Sequence, residues 1–341
     1  MSNRVQKTNR TVIKEVDWPK EIRLLVNKKC NYRCSFPDTG IKWCHEDGAH
    51  FFSDDKEASF DDFVFTARAL KQPFHLEKVK IAGMEPLLYH RIGDLIKEFK
   101  QAGYREVSLT TNGYFLEKRA KELAESGLDT LTVSIHSMNP EIYSKITGSD
   151  SLDRVLRGIA RAKKAGIRNI KINRVMLRFD HVWQDLLFFI DWAAKEKISI
   201  KLYELIFSGC LDQKSYFSNY LSWRSLLGYF CKNGRLKEVR RFLISGRERL
   251  FWQLRSGVRV ETDIFNQKMI PKIASFCQTC PLASYCQEGL FSYGIELNSE
   301  MVLSPCLLRD DLSLDVWDLV KARDGKRLFL SISSYIKKLV D

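Results

Sequence analysis

From residue 22 onward, short apolar runs alternate with longer segments whose hydrophobic residues fall at helical spacing. Residues 22–26, 78–82, 106–110, 131–135, 170–177 and 198–205 have the length and β-branched content of strands. Between them, residues 60–70, 92–102, 117–126, 152–165 and 183–197 read as helices, the fourth bounded by Gly166. Six strand–helix alternations imply parallel strands, because a parallel connection needs a crossover of about a dozen residues or more. The expected fold is therefore α/β, a partial (β/α)6 TIM-like barrel, and periodicity leaves open whether its sheet closes. After Phe207 the pattern changes. Residues 216–230 and 236–254 read as helices broken by Gly228, Gly234 and Gly246, and 258–262 reads as a short strand. The expected division is an extension over 1–21, the barrel over 22–207, and a helical, cysteine-rich region over 208–341.

In parallel α/β sheets the reactive loops lie beyond the carboxyl ends of the strands. The unusual polar residues fall there: Cys30 to Cys44, Gly83 to Pro86, Thr110 to Gly113, His136 and Asn173. With 341 residues, 45% of them hydrophobic, the chain can bury a sizeable core. Its formal charge of +13 favours an anionic partner such as a phosphorylated metabolite, a nucleotide, RNA or a leader peptide. The basic residues are scattered rather than blocked, so a solvated lysine-rich surface explains the charge equally well.

Residues 1–20 are polar, and the longest apolar stretch, 186–194, is interrupted by Asp191 and too short for a bilayer. A cytoplasmic location with no membrane partner is the expectation. Thiols stay reduced in that compartment, so the nine cysteines read as metal ligands rather than disulfides. Cys30, Cys34 and Cys44 share one polar loop after the first strand. Three thiolates are one fewer than a closed structural site needs, and on a 4Fe-4S cluster they leave one iron open. Lys28, Lys29 and Arg33 beside them offset negative charge. On spacing alone, a zinc loop or ordinary buried cysteines fit equally well. Cys210 and Cys231 read as buried bystanders.

These residues resemble the radical S-adenosylmethionine (SAM) superfamily, whose usual Cys-x3-Cys-x2-Cys is here stretched to Cys-x3-Cys-x9-Cys. Trp43 still precedes the third cysteine, and His45-Glu46-Asp47-Gly48 follows it. Ala82-Gly83-Met84-Glu85-Pro86 is similar to the family's Gly-Gly-Glu-Pro turn, Thr110-Thr111-Asn112-Gly113 to its Thr-Asn-Gly segment, and Lys171-Ile172-Asn173 to its fifth strand. Val133-Ser134-Ile135-His136-Ser137, followed by Asn139-Pro140-Glu141, resembles one branch, the GTP 3′,8-cyclases of molybdenum-cofactor biosynthesis, with His136 in place of an Asp.

The resemblance implies two cofactors, SAM and a 4Fe-4S cluster on Cys30, Cys34 and Cys44. It places Gly83, Glu85, Thr111, Asn112, Ser134 and Asn173 around the SAM. Cys277, Cys280, Cys286 and Cys306 resemble a SPASM or twitch region holding a second cluster, although a tetrahedral zinc site has the same ligand types. The cyclases' GTP-binding arginines are absent between Cys280 and Cys306. Arg23 occupies the place of a triphosphate contact, and Lys78 and Lys80 share one strand face where they would join it. Glu204 reads either as a substrate contact or base, or as a buried partner of Arg174.

The implied function is reductive cleavage of SAM to a 5′-deoxyadenosyl radical that takes hydrogen from a small anionic substrate, a nucleotide, nucleoside or phosphorylated metabolite. The implied partner is a reductant such as flavodoxin or ferredoxin, with no nucleic acid. Two other readings stand beside it: a SPASM-type peptide-modifying enzyme, and a non-catalytic zinc- or RNA-binding protein.

Overall fold

A computed structural model describes residues 20–35, 56–179, 181–205, 213–244, 247–264, 277, 280–281, 294–306 and 309–340. Its centre is the expected run of parallel strands: β1 (Glu21–Leu25), β2 (Lys78–Ala82), β3 (Glu106–Thr111), β4 (Thr130–Ser134), β5 (Asn169–Val175) and β6 (Ser199–Tyr203). Each pairs in parallel with the next, in chain order. The crossovers carry helices α1 (Phe60–Lys71), α2 (Ile92–Gln101), α3 (Leu116–Glu125), α4 (Pro140–Thr147), α5 (Leu152–Lys164) and α6 (Val182–Glu196). Of these, α4 was not anticipated from periodicity; Asn139 caps it, Pro140 opens it, and left-handed Gly148 closes it.

Alternate strand positions divide two environments. Ile22, Leu24, Val79, Ile81, Val107, Leu109, Ile172, Ile200 and Leu202 lie buried beneath the helices, each worth about 1.5–3 kcal/mol of apolar burial. The intervening residues are largely polar and face the concave side. Asp62 on α1 ties this layer to α9 (Trp317–Lys321). Its burial disfavours a charge, yet bonds from Lys321, Ser59 and Arg323 hold its carboxyl down at about 2.

The wall does not close on itself among the described residues. β1 pairs outward with parallel β10 (Ile295–Leu297), which leads to the antiparallel strands β11 (Val302–Leu303) and β12 (Leu314–Asp315). At the other edge β6 pairs with parallel β9 (Arg259–Ile264). Helix α10 (Gly325–Val340) packs on α1.

The helix expected over 236–254 is instead an antiparallel hairpin, β7 (Leu236–Ile244) and β8 (Arg247–Leu254), with β8 paired to β9. Leu250, Trp252 and Leu254 are buried at strict period two, which is strand spacing. Gly246, read as a helix break, falls between the strands and outside the described residues. The single helix expected over 216–230 is two, α7 (Gln213–Asn219) and α8 (Trp223–Lys232), because Ser222 caps a fresh start at Trp223, its hydroxyl accepting from Arg224 N. The strand expected over 258–262 is β9.

Candidate active site

The tips of β1, β2 and β3 are stitched together by backbone and carboxamide bonds. Val26 N donates to Ala82 O at 3.0 Å, and Glu85 N to Lys29 O at 3.0 Å. Asn27 Nδ2 donates to Glu85 O at 2.7 Å. Gly83, at φ +123°, sits where a Cβ would lie 3.2 Å from both Asn27 O and Val26 N. Only glycine suits that backbone and that close approach. The Glu85 carboxylate is fully buried and accepts from Thr111 Oγ1 at 2.5 Å, Asn112 N at 2.7 Å and Leu87 N at 3.0 Å. Burial nevertheless raises it to about 7, against those three donors. Glu85 therefore braces the β2 and β3 tips through its side chain and leaves its turn's backbone at the site.

Asn112 completes the brace, with Nδ2 donating to Asn31 Oδ1 at 2.9 Å and pointing at Cys30 Sγ at 3.7 Å. Tyr32 N lies 3.4 Å from the same sulfur. Two N–H groups thus face the Cys30 sulfur, an arrangement suited to thiolate charge. Cys34 is half-buried on the same loop, and Cys44 lies outside the described residues. Among the described residues no three His, Cys, Asp or Glu side chains are arranged to hold a metal ion. The described part of the site fits the expected group: soft thiolates, N–H donors on sulfur, and a glycine turn open to close backbone approach.

Further along the wall, Ser134 and Asn173 are register partners on the concave side, with Ile135 N donating to Asn173 O at 3.0 Å. His136 Nδ1 accepts from Val175 N at 3.3 Å. Burial and the nearby Arg174 charge push His136 down to about 3, so its imidazole is neutral. Arg174, expected as one candidate partner of Glu204, points the other way. It is 0% exposed and pairs with Asp185 at 2.5 Å. Glu204 accepts from Trp223 N at 2.8 Å and bonds Tyr220 and Ser222, capping α8. Burial raises its carboxyl.

Cations line the concave side. Arg23 pairs with Glu296 at 3.2 Å, and Lys78, more than a third exposed, with Glu106 at 2.9 Å. Lys80 is pushed down to about 7 by burial and by Arg23, with Lys201 and Lys171 adding repulsion. Lys171 and Lys201 were missed from the sequence, although each has the inward parity of a strand neighbour already singled out. Lys201 shares Asp263 (3.0 Å) and Glu261 (3.5 Å) with Arg249. Neither Lys80 nor Lys171 has an ion-pair partner among the described residues.

The second cysteine region is less convergent. Cys277 and Cys280 are half-buried, and Cys280 bonds Arg309, a neighbour not singled out in the sequence. Cys306 is buried beside Leu312, Leu339 and Tyr335. Cys286 and Cys210 lie outside the described residues. Cys231, expected to be buried, is exposed on α8, because the apolar face of that helix is formed by Trp223, Leu226 and Phe230. A hollow of about 430 Å³ on the β7–β9 face, lined by Arg240, Phe242, Phe251 and Arg259, is separate from the strand tips.

Parallel strands with two cysteines on the loop beyond the first, and polar tips on the next four, are the arrangement of an α/β enzyme whose site lies at the strand ends. The chain belongs to the radical SAM superfamily: the superfamily's model matches residues 24–192. A Saccharolobus islandicus protein described as a probable GTP 3′,8-cyclase is 30% identical, over 88% of this chain and 87% of its own. A GTP 3′,8-cyclase of Limosilactobacillus fermentum is 34% identical over 54% of each. Among solved structures, Streptococcus suis SuiB bound to S-adenosylmethionine aligns with a TM-score of 0.57 at 15% identity, covering 93% of this chain and 68% of that one. The enzyme anSMEcpe with bound AdoMet and a peptide gives 0.53 at 15%, covering 90% and 81%. These two likenesses concern the fold.

The chain is accordingly a radical SAM enzyme using SAM and a 4Fe-4S cluster, which excludes the non-catalytic reading. When bound, the cluster and SAM supply one-electron cleavage of the sulfonium and a radical able to take hydrogen. No helix among the described residues is long and apolar enough to cross a membrane.

Proposed function

We propose that this enzyme takes hydrogen from a small phosphorylated substrate of nucleotide type, held on the concave side of the strand wall by Lys80 and Lys171. The observation that carries the reading is the pair itself. Neither lysine has a carboxylate within ion-pair distance among the described residues; Lys80 is enclosed and repelled by Arg23, Lys201 and Lys171, which Glu21 only partly offsets, and a bound phosphate would relieve that cost. Arg23 adds a third cation, paired to Glu296 on the neighbouring strand. The names of the cyclase relatives support the same substrate class.

In this reading Cys30, Cys34 and Cys44 hold the cluster, and the Gly83 turn, Asn112, Ser134 and Asn173 orient SAM. Glu85 and Thr111 fix the turns that do so. Cys277, Cys280, Cys286 and Cys306 hold the second cluster, carried by the region beyond residue 207, and an acidic reductant such as flavodoxin or ferredoxin delivers the electron. Lys78 acts at the strand start, outside the phosphate pocket, and Glu204 acts on α8 rather than on substrate.

The test incubates reconstituted, reduced protein with SAM and matched pairs of nucleosides and nucleotides, following 5′-deoxyadenosine. The reading requires greater stimulation by the phosphorylated member of each pair. Equal or absent stimulation across all pairs would refute it.

A further inference from the structure

The segment from Tyr32 to Ser35 is bonded to α4 and to the turn that leads into α5. Tyr32 is 3% exposed, and its hydroxyl lies 2.9 Å from Tyr143 Oη and 2.5 Å from Ser151 Oγ. Ser149 Oγ donates in turn to Ser151 Oγ at 2.9 Å. The Tyr32 ring stands edge-on to both Tyr143 and Tyr114, with centroids 6.4 and 6.1 Å away. Main-chain bonds run parallel to this cluster: Arg33 N donates to Thr147 O at 3.0 Å and Ser35 N to Ile146 O at 2.8 Å. Gly148 makes the approach feasible. At φ +64° it closes α4, and a Cβ there would meet Arg33 Cβ at 3.2 Å.

The far end of α4 is anchored just as firmly. The Asp185 carboxylate accepts from Met138 N at 2.8 Å, Asn139 N at 3.0 Å and Ser137 Oγ at 3.1 Å, while its other oxygen holds buried Arg174. Helix α4 is thus fixed to the barrel at its start and to the cysteine loop at its end. The stretch from Cys30 to Ser35 is mainly polar, and three bonded hydroxyls beneath it would be an expensive way merely to fill space.

We propose that Tyr32, Tyr143 and Ser151 form a hydroxyl clamp that sets the position of Cys30 and Cys34, making the end of α4 the seat on which the cluster loop rests. They are positioning residues, acting on the cluster through the loop. The proposal rests on the radical SAM reading of that loop. Tyr32→Phe keeps the buried ring and removes the shared hydroxyl; Tyr143→Phe and Ser151→Ala each remove one partner.

Three measurements on the full-length protein decide it. In the metal-free protein, Tyr32→Phe should speed amide hydrogen exchange at Arg33 and Ser35 about tenfold, with thermal unfolding little changed. In the reconstituted protein, iron loss to a chelator should accelerate several-fold, and the SAM-induced change in the electron paramagnetic resonance signal of the reduced cluster should differ from wild type. Tyr143→Phe combined with Ser151→Ala should reproduce Tyr32→Phe, and adding Tyr32→Phe to that pair should bring little further change. Wild-type exchange, iron loss and resonance signal in Tyr32→Phe would overturn the clamp while leaving the enzyme class intact. A wild-type chain that takes up no iron–sulfur cluster would overturn both. Lowered thermal stability in Tyr32→Phe with an unaltered resonance signal and chelation rate would likewise overturn it, showing packing alone.

Discussion

The β1–β6 wall and the β7–β8 hairpin belong to one hydrogen-bonded sheet, yet they differ in what covers them. Every strand of the wall has helices on one face and a polar concavity on the other. Buried apolar residues therefore alternate with Arg23, Lys80, Ser134, Asn173 and Lys201. In the hairpin, Glu238, Val239, Arg240, Arg241 and Phe242 of β7 are all exposed, and one face of β8 is covered by Trp223 and Phe230. In the proposed function the wall carries the chemistry, because a covered sheet can hold charged and sulfur-bearing side chains in fixed places at its tips. The hairpin offers surface.

Four substitutions sharpen this contrast, in order of expected effect. Asp185→Ala strips the partner from Arg174 and the acceptor from the loop before α4. Leaving a buried guanidinium uncompensated should cost about 3–5 kcal/mol in denaturant unfolding. Lys80→Met should raise KM for the phosphorylated substrate about 10- to 100-fold, the scale of a charge-assisted hydrogen bond. With Lys80 at about 7, below the usual range near 10.4, the folded chain binds fewer protons than the unfolded one between those values. Stability should therefore rise with pH across that window, while substrate affinity falls as Lys80 loses its charge. Both trends should vanish in Lys80→Met, as read from KM and unfolding at pH 6 to 9.

Glu85→Gln turns an acceptor oxygen into an N–H donor among three existing donors, so one of the Thr111, Asn112 or Leu87 bonds must break. The expected loss is about 1–3 kcal/mol, checked by thermal unfolding. Because Glu85 is raised to about 7, the wild type should also lose some stability as pH climbs from about 4.5 to 7, where the unfolded chain holds fewer protons. That slope should be absent in Glu85→Gln. Phe242→Ser on the hairpin should change stability by no more than about 0.5 kcal/mol, since the ring is 44% exposed. A Phe242→Ser loss as large as that of Asp185→Ala would break the contrast between the two regions.

The same contrast explains what could be read beforehand. Strands β1–β6 announce themselves through alternating burial and long crossovers, and their tips point to Cys30, Gly83, Asn112, Ser134 and Asn173. Helix α4 was hidden because its eight residues follow a strand tip directly, although Asn139-Pro140 and Gly148 mark its ends. The hairpin was misread because residues 237–242 of β7, exposed on both faces, show no buried apolar alternation like that of β8. Arg174 and Asp185 are eleven residues apart, and nothing in the chain identifies them as partners. Nor does a tyrosine between two cysteines disclose that its hydroxyl meets Tyr143 and Ser151, more than a hundred residues away. Lys171 was overlooked beside Asn173, where parity alone would have found it.

The most direct test of the wall as the seat of chemistry compares wild type with Cys34→Ala for reductive cleavage of SAM under anaerobic conditions. The account predicts 5′-deoxyadenosine from the wild type and none above background from Cys34→Ala. Equal cleavage by the two proteins would contradict it.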